Sequence, residues 1–138
     1  MTPEDILQRF TQAIVAGSAD DLAELYAEDA VHEFPFTHTD KTTLHGRERI
    51  RARYRAAWDS MPATVRAASN LIVHRMAEGE TTVAEFDLTL ENTSTHLQFV
   101  ASTVVVMRVR DGAIAHLRDY TDNLTLERGL GLPPRPAP

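Results

Sequence analysis

The chain has 138 residues, 43% of them hydrophobic and 25% charged, as is typical of one globular domain with its own core. Twenty acidic residues against fourteen basic ones give a net charge of -6, which argues against nucleic acid and anionic membranes as partners. The absence of cysteine excludes disulfides and thiolate metal sites. Because no apolar run approaches membrane length and the first residues lack a signal-peptide pattern, we expect a cytoplasmic protein.

The first 26 residues predict two consecutive helices. Thr2 and Asp5 form a capping box, and apolar residues then recur at helical spacing until Gly17, which can end the helix in the left-handed conformation. Ser18 begins a second, short helix. Its inward residues are expected to be Leu22, Leu25 and Tyr26.

A short strand and a third helix follow. Residues 30–35 indicate a strand that ends at Pro35, because proline cannot donate a ladder hydrogen bond. Residues 36–45 are predicted to be a polar loop, and Gly46 precedes the third helix. The arginine-rich face of that helix favours solvent exposure over phosphate binding, given the overall acidity. Its apolar face comprises Ile50, Tyr54, Ala57 and Trp58.

From Pro62 the hydrophobic period changes to two, which predicts four long strands over residues 63–76, 81–91, 96–110 and 113–122. The third of these strands is apolar on both faces in its middle, and Val100, Val104 and Val106 share one side. A strand of this kind needs cover on each face. Helices can cover one face, and a second copy of the chain is the simplest cover for the other, so we expect a homodimer.

The last predicted strand carries one charged residue on its apolar face. Ala113, Ala115, Leu117, Asp119 and Thr121 share that face. A carboxylate there must be paired, hydrogen-bonded or protonated, because burial of a bare charge is costly. The pattern leaves two alternatives for Asp119, a general acid or base and a structural residue bonded to its neighbours.

The order of these elements resembles the NTF2-like α+β cone, in which three N-terminal helices pack on a strongly curved, mainly antiparallel sheet. Three stretches resemble the SnoaL-like and ketosteroid-isomerase-like branch, namely residues 25–35, 45–50 and 111–120. The resemblance implies a single domain over residues 1–126, followed by a Pro/Gly-rich tail over residues 127–138. Since this fold hosts isomerases, cyclases, dehydratases, epoxide hydrolases and binding proteins, the reaction must be argued from the site.

Two branches of the superfamily differ in their acidic residues. The steroid isomerases resemble this chain in fold, but their functional tyrosine and two aspartates align with Phe10, Phe34 and Val105, so that route is not expected here. Limonene epoxide hydrolase, aklanonic-ester cyclases and phenazine-biosynthesis proteins have an acid in the last strand, where this chain has Asp119. The hydrolase also needs an Arg-x-Asp pair, and the nearest match is Glu85-Phe-Asp87 without arginine.

Other residues of a site follow from the same alignment and from the strand faces. His32 shares a face with Phe34 and could orient substrate or exchange a proton with it, or could simply bond to backbone. Apolar and aromatic walls are typical of small-molecule pockets. The expected substrate-binding residues are Phe34, Phe10, Tyr26, Trp58, Met61, Val105 and Leu117. No histidine pair has metal-site spacing, so neither a metal nor another cofactor is expected.

Two functional hypotheses remain. The first is a cofactor-independent isomerase, cyclase or dehydratase that uses Asp119, assisted by His32, on an apolar intermediate resembling a natural product. An epoxide-hydrolase-like enzyme is the alternative within the enzyme class. The second is a non-catalytic binding protein for a small molecule, with Asp119 structural. A deep cavity with Asp119 at its floor would favour the enzyme, and a filled cone would favour the binding protein.

Overall fold

The computed structural model describes residues 1–36, 42–77 and 79–132. Four helices and six strands occupy these ranges. The helices are α1 (Pro3–Ala16), α2 (Ala19–Ala23), α3 (Arg47–Ser60) and α4 (Asn123–Leu130). The strands are β1 (Tyr26–Phe34), β2 (Thr42–His45), β3 (Ala63–Arg75), β4 (Thr81–Asn92), β5 (Gln98–Arg110) and β6 (Ala113–Thr121).

The strands form one curved sheet in the order β2-β1-β6-β5-β4-β3. All neighbouring pairs are antiparallel except β1 and β6, which run parallel. Helices α1 and α3 pack on the sheet's inner face, and this arrangement is the α+β cone of the NTF2-like fold. The fold class predicted from the order of elements is therefore confirmed.

The first helices form for the local reasons visible in the sequence. Thr2 and Asp5 make both hydrogen bonds of the capping box, and Gly17 ends α1 with a φ of 65°. Ser18 caps α2 by accepting a hydrogen bond from the Asp21 amide at 3.1 Å. Two arginines of α3, Arg51 and Arg55, pair with Asp20 of α2 at 2.6 Å, which favours the solvent-exposed interpretation of this face over phosphate binding.

Two predictions for the segment between α2 and α3 were wrong. Tyr26 begins β1 and does not lie on α2, because the chain pairs with β6 here and the Ile114 amide donates to the Leu25 carbonyl at 2.8 Å. Residues 42–45, predicted as loop, form β2 against the far end of β1. Four residues are too few to show the alternation that indicates a strand, and this strand forms because β1 offers a free edge for pairing.

Helix α4 was also missed. Its signals are present in the sequence, since Asp122 caps it through the Thr125 amide at 3.1 Å and Gly131 ends it with a φ of 71°. The domain boundary expected at residue 126 falls inside this helix. The proline-rich composition beyond Leu132 predicts a segment that is dispensable for folding, and residues 133–138 lie outside the described part of the chain.

The core lies between the helices and the inner face of the sheet. Its fully buried side chains include Ile6, Leu7, Phe10, Leu22, Tyr26, Ile50, Met107, Ile114 and Leu117. A second, smaller cluster of Ala63, Leu90 and Ala101 lies towards α4, where Leu126 and Leu130 pack against it. The cone therefore has a dense end, built on α1, and an end that α4 closes.

The outer face of β5 is exposed along the apolar row that the sequence predicted. Val100 is 51% exposed and Val104 is 36% exposed, while Ala101, Thr103 and Val105 on the other side are buried. The described elements thus cover only one face of this strand. The expectation of a homodimer through the outer face stays a prediction.

Candidate active site

Strand β6 directs Asp119 to the inner face of the sheet. Asp119 pairs with Val105 of β5, and Thr121 pairs with Thr103, so the four side chains share the inner face, as the alternation along each strand requires. The neighbouring Arg118 points outward, 3.4 Å from Glu33 and over the ring of Tyr120. Asp119 consequently has no ion pair with the basic residue next to it.

A cavity of about 140 Å³ opens beside Asp119. Its wall is mostly apolar and aromatic, with contributions from α1, α3, α4 and four strands, β3 to β6. The lining residues are Phe10, Ile14, Tyr54, Trp58, Met61, Val65, Phe86, Leu88, Leu90, Ala101, Thr103, Asp119, Thr121 and Leu126. Among the lining residues that the structure describes, Asp119 alone carries a charge. Such a wall, with few polar groups, is typical of sites for small apolar molecules.

The carboxyl group of Asp119 accepts two hydrogen bonds. The Thr121 hydroxyl donates to Oδ1 at 2.5 Å, and the Tyr54 hydroxyl donates to Oδ2 over a long 3.5 Å. Asp119 is half-buried, and its accessible surface belongs to the cavity. Removal from bulk water raises its pKa to about 6, against the lowering effect of the Thr121 and Tyr54 bonds.

Tyr54 lines the cavity and donates to Asp119, which makes it a candidate site residue, although the sequence analysis did not select it. It lies on α3, one turn before Trp58, so both rings reach the same wall of the cavity and their centroids are 5.1 Å apart. Its apolar spacing predicted a core residue, and its ring is indeed buried. The signal that could have found it is the phenol itself, because a buried hydroxyl normally needs a polar partner.

His32 lies behind Tyr54 and does not line the cavity. Its side chain is fully buried, with Nδ1 2.8 Å from the Tyr26 hydroxyl and Nε2 3.3 Å from the Tyr54 hydroxyl. Burial lowers the pKa of His32 to about 3, with smaller contributions from His116 and Arg53, so the ring is neutral at physiological pH. Its connection to Asp119 passes through Tyr54.

The other expected binding residues divide into two groups. Phe10, Trp58 and Met61 line the cavity. Phe34 does not line the cavity; its ring packs at a tilt of 48° against His32, with centroids 4.4 Å apart, and its centroid lies 6.2 Å from that of Tyr54. Tyr26, Val105 and Leu117 are fully buried in the core and are outside the cavity wall, because denser packing fills this part of the inner face.

Glu85 and Asp87 face away from the cavity. The Glu85 carboxylate lies 2.7 Å from His74 Nε2, and Asp87 accepts hydrogen bonds from Asn70 and Ser102 on the outer side of the sheet. Within the described ranges, no three acidic or histidine side chains are grouped closely enough to hold a metal ion. In the same residues, no helix is long and apolar enough to cross a membrane.

A larger groove, of about 650 Å³, lies on the outer side of β6. It is open and is lined by Tyr120, Ser102 and Val104 together with residues of the chain after β1 and of α4. Thr121 belongs to its wall and to that of the inner cavity. We consider the inner cavity to be the candidate site, because it contains the buried carboxyl group.

A protein family and a protein of known sequence both match most of this chain. Residues 7–117 match the SnoaL-like domain family. The uncharacterized protein YesE of Bacillus subtilis (strain 168) is 27% identical over 132 residues, which are 92% of this chain and 86% of that protein.

Solved structures agree over nearly the full length. A candidate isomerase from Bacillus subtilis has a TM-score of 0.83 at 25% identity, with coverage of 92% of this chain and 91% of that one. A Catenulispora acidiphila protein with a ketosteroid isomerase-like fold, crystallised with trimethylamine, has a TM-score of 0.77 at 22% identity, with both chains fully covered. IdmH of Streptomyces antibioticus, a candidate polyketide cyclase, has a TM-score of 0.74 at 23% identity, covering 96% of this chain and 100% of that one.

Proposed function

The chain belongs to the SnoaL-like domain family, and from that premise we propose that it is a cofactor-independent isomerase or cyclase for a small, apolar, carbonyl-bearing molecule. Asp119 is the group that transfers the proton. The observation that carries the proposal is the position of this carboxyl group, in an apolar cavity and without a basic partner among the described residues.

Asp119 begins the reaction as a base. With a pKa of about 6, it is mostly ionised at neutral pH and still basic enough to accept a proton. It takes a hydrogen from the carbon next to the substrate carbonyl, and the electron pair of that C–H bond moves onto the carbonyl oxygen as an enolate. Asp119 is then a neutral carboxylic acid that holds the proton.

The same proton completes either of two reactions. In an isomerisation, Asp119 returns it to a different carbon of the enolate or dienolate, and the double bond shifts. In a cyclisation, the enolate carbon forms a bond to a second carbonyl carbon of the same molecule, and Asp119 protonates the resulting alkoxide. Atoms and electrons balance in both cases, and neither reaction needs an oxidant, a reductant or a cofactor.

The cyclisation has additional support from a related structure. IdmH, whose chain this one matches along nearly its whole length, is described as a candidate polyketide cyclase. The steroid-isomerase route has no support in the same positions, because Phe10, Phe34 and Val105 supply no hydroxyl or carboxyl group. A dehydratase would use the same Asp119 proton to expel a hydroxyl group as water after enolate formation.

Epoxide hydrolysis is disfavoured because the acidic side chains of β4 point to the outer face of the sheet. An epoxide hydrolase of the resembling type positions its water with an Arg-x-Asp pair on this strand. Here Glu85 is exposed, and Asp87 is bonded to Asn70 and Ser102 on the outer face. Neither carboxylate reaches the cavity that contains Asp119.

Deuterium exchange tests the proposal without knowledge of the natural substrate. The protein is incubated in D₂O with small enolisable ketones, 1,3-diketones and cyclic enones, and deuterium incorporation is followed by mass spectrometry. We expect catalysed exchange next to the carbonyl in the wild-type protein. Asp119→Asn should reduce the rate by about 100-fold or more while ligand binding is retained, because general-base catalysis contributes about that factor.

The matched control is Asp87→Asn, which removes a carboxylate of the same size from the opposite face of the sheet. Its exchange rate should equal that of the wild-type protein. Ligands that bind in the cavity and shift its NMR signals, yet exchange no deuterium above the uncatalysed rate, would support the binding-protein alternative. Full exchange by a folded Asp119→Asn variant would assign proton transfer to another group.

A further inference from the structure

Three buried hydrogen-bonding side chains form a row that ends at Asp119. The Tyr26 hydroxyl is 2.8 Å from His32 Nδ1, His32 Nε2 is 3.3 Å from the Tyr54 hydroxyl, and that hydroxyl is 3.5 Å from Asp119 Oδ2. Tyr26, His32 and Tyr54 come from β1 and α3 and are all buried. Of the four side chains in the row, Tyr54 and Asp119 line the cavity, and Tyr26 and His32 lie behind them. The reaction described above uses neither Tyr26 nor His32.

The row has one arrangement of protons that satisfies every member when Asp119 is ionised. A carboxylate only accepts, so the Tyr54 hydroxyl must donate to it. The Tyr54 oxygen can then accept a proton from His32 Nε2–H. A neutral imidazole with a proton on Nε2 has a bare Nδ1, which accepts the hydrogen bond from the Tyr26 hydroxyl.

The opposite arrangement leaves a proton without an acceptor. If Nδ1 carried the imidazole proton, it would donate to the Tyr26 oxygen, and Nε2 would accept from Tyr54. The Tyr26 hydroxyl proton would then need another acceptor, whereas among the described residues its hydrogen-bond contact is His32. Because Tyr26 is fully buried, bulk water does not reach its hydroxyl to supply that acceptor.

We propose that Tyr26 and His32 are positioning residues, which hold the hydroxyl proton of Tyr54 toward Asp119 by fixing His32 in its Nε2–H tautomer. Tyr26 acts as the terminal donor of the row. His32 transmits the direction of that bond to Tyr54, and neither residue contacts substrate. Histidine tautomers in enzymes are commonly set in this way by the hydrogen bond made at the other ring nitrogen.

The charged groups around the row are consistent with a neutral His32. Arg53 of α3 and His116 of β6 both disfavour a second proton on the imidazole. On its own strand, His32 faces Tyr26 and the ring of Phe34. Asp119 is contacted by Thr121 from its own strand and by Tyr54 from α3. Among the described residues, the two nitrogens of His32 contact the Tyr26 and Tyr54 hydroxyls, and the Asp119 carboxylate is reached only through Tyr54, so no carboxylate contacts the ring to stabilise its charged form.

The consequence for catalysis rests on the function proposed above. A Tyr54 hydroxyl that always points to Asp119 stabilises the carboxylate and keeps Oδ2 oriented between turnovers. If the hydroxyl could turn to His32 instead, the carboxylate would lose one of its two donors. The row thus favours Asp119 as a base at the start of each cycle.

NMR of the substrate-free protein tests the proposal directly. Long-range ¹H–¹⁵N correlations on ¹⁵N-labelled protein report the tautomer of His32, and ¹³C carboxyl signals report the titration of Asp119. The variants are Tyr26→Phe and Tyr54→Phe, each of which removes one hydroxyl and keeps the ring. Tyr120→Phe is the control, because Tyr120 lies on the outer face beside Phe36.

The wild-type protein should show a protonated Nε2 and a bare Nδ1 from mildly acidic to mildly basic pH. Tyr26→Phe should populate the Nδ1–H tautomer and raise the Asp119 titration midpoint. Tyr54→Phe should raise that midpoint further and leave the tautomer unchanged, because Tyr26 still donates to Nδ1. Tyr120→Phe should change neither signal.

Two results would overturn the proposal. One is a wild-type His32 that carries its proton on Nδ1, which needs no variant to fold. The other is a folded Tyr26→Phe protein in which neither the tautomer nor the Asp119 midpoint moves. If the tautomer behaves as expected but no ketone exchanges deuterium, the proposed reaction fails and the positioning of Tyr54 stands.

Discussion

Asp119→Asn should stabilise the folded protein at neutral pH and have a much smaller effect in acid. Burial raises the pKa of Asp119 from 3.8 to about 6, so the folded state holds this proton more tightly than the unfolded state. The stability that the protonated acid contributes is fully present below about pH 4. It is lost as the pH rises through about 6, because the folded protein must then carry a buried carboxylate.

The magnitude follows from the size of that change in pKa. One pKa unit corresponds to about 1.4 kcal/mol, so a rise from 3.8 to about 6 corresponds to roughly 3 kcal/mol. Water in the open cavity screens part of this charge, and we expect a gain of about 1–3 kcal/mol for asparagine at neutral pH. For a chain of this length the gain is a rise in melting temperature of roughly 3–12 °C.

Urea unfolding at a series of pH values, followed by circular dichroism, measures the effect. The informative quantity is the free energy of unfolding of Asp119→Asn minus that of the wild-type protein, because all other titrations cancel in it. This difference should rise between about pH 4 and pH 7. Asp87→Asn should show an almost flat difference over this range, because hydrogen bonds from Asn70 and Ser102 lower the pKa of Asp87 below its ordinary 3.8; its contribution changes only below about pH 4, with the opposite sign.

A difference that stays flat over this pH range would mean that Asp119 is ionised as easily in the folded protein as in the unfolded chain. A folded but less stable Asp119→Asn protein at neutral pH would identify the carboxylate as a structural anchor for Thr121 and Tyr54. Either result would refute the inference that burial leaves this carboxyl group poised for proton transfer.

Three further predictions concern α4 and the outer face. Gly129→Ala should lower the melting temperature by several degrees in thermal denaturation although alanine favours helices, because the added Cβ would overlap the Phe99 ring; an increase would contradict this packing. Val104→Lys should convert the expected homodimer to a monomer in sedimentation, and a wild-type protein that is monomeric at micromolar concentration would exclude the dimer. Leu126→Ala should strengthen the binding of larger ketones measured by calorimetry, since 140 Å³ is small for a ligand pocket, and unchanged affinity would place their entry elsewhere.

The parts of the fold that follow a local rule were predictable from the sequence. The capping residues of α1 and the alternation along β3 to β6 gave the elements that build most of the cone. The same alternation directed Asp119 inward and Arg118 outward, as the structure has them. A strand face is fixed by a period of two, so the direction of a side chain can be inferred before its neighbours are known.

The parts that depend on partners from distant elements were not predictable. Tyr54 is 65 positions from Asp119 in the chain, and its spacing on α3 indicated only a buried ring. His32 was expected at the cavity, but Tyr54 lies between it and Asp119. Strand β2 exists because β1 offers it an edge, and four residues contain no pattern of their own that reveals this. In each case the deciding contact is tertiary.

Helix α4 contributes Leu126 to the cavity wall but contains neither Asp119 nor Tyr54. None of its residues is buried, and it is fastened by Leu126, Leu130 and an Asn92 bond to the Gly129 carbonyl at 3.0 Å. Asp119 lies on β6 and Tyr54 on α3, and these two elements are held by their contacts with β5, β1 and α2. Because α4 has no buried residue, its amide hydrogens should exchange with solvent sooner than those of β5 and β6. We therefore expect substitutions in this helix to change which molecules bind in the cavity while the hydrogen bond from Tyr54 to Asp119 is retained.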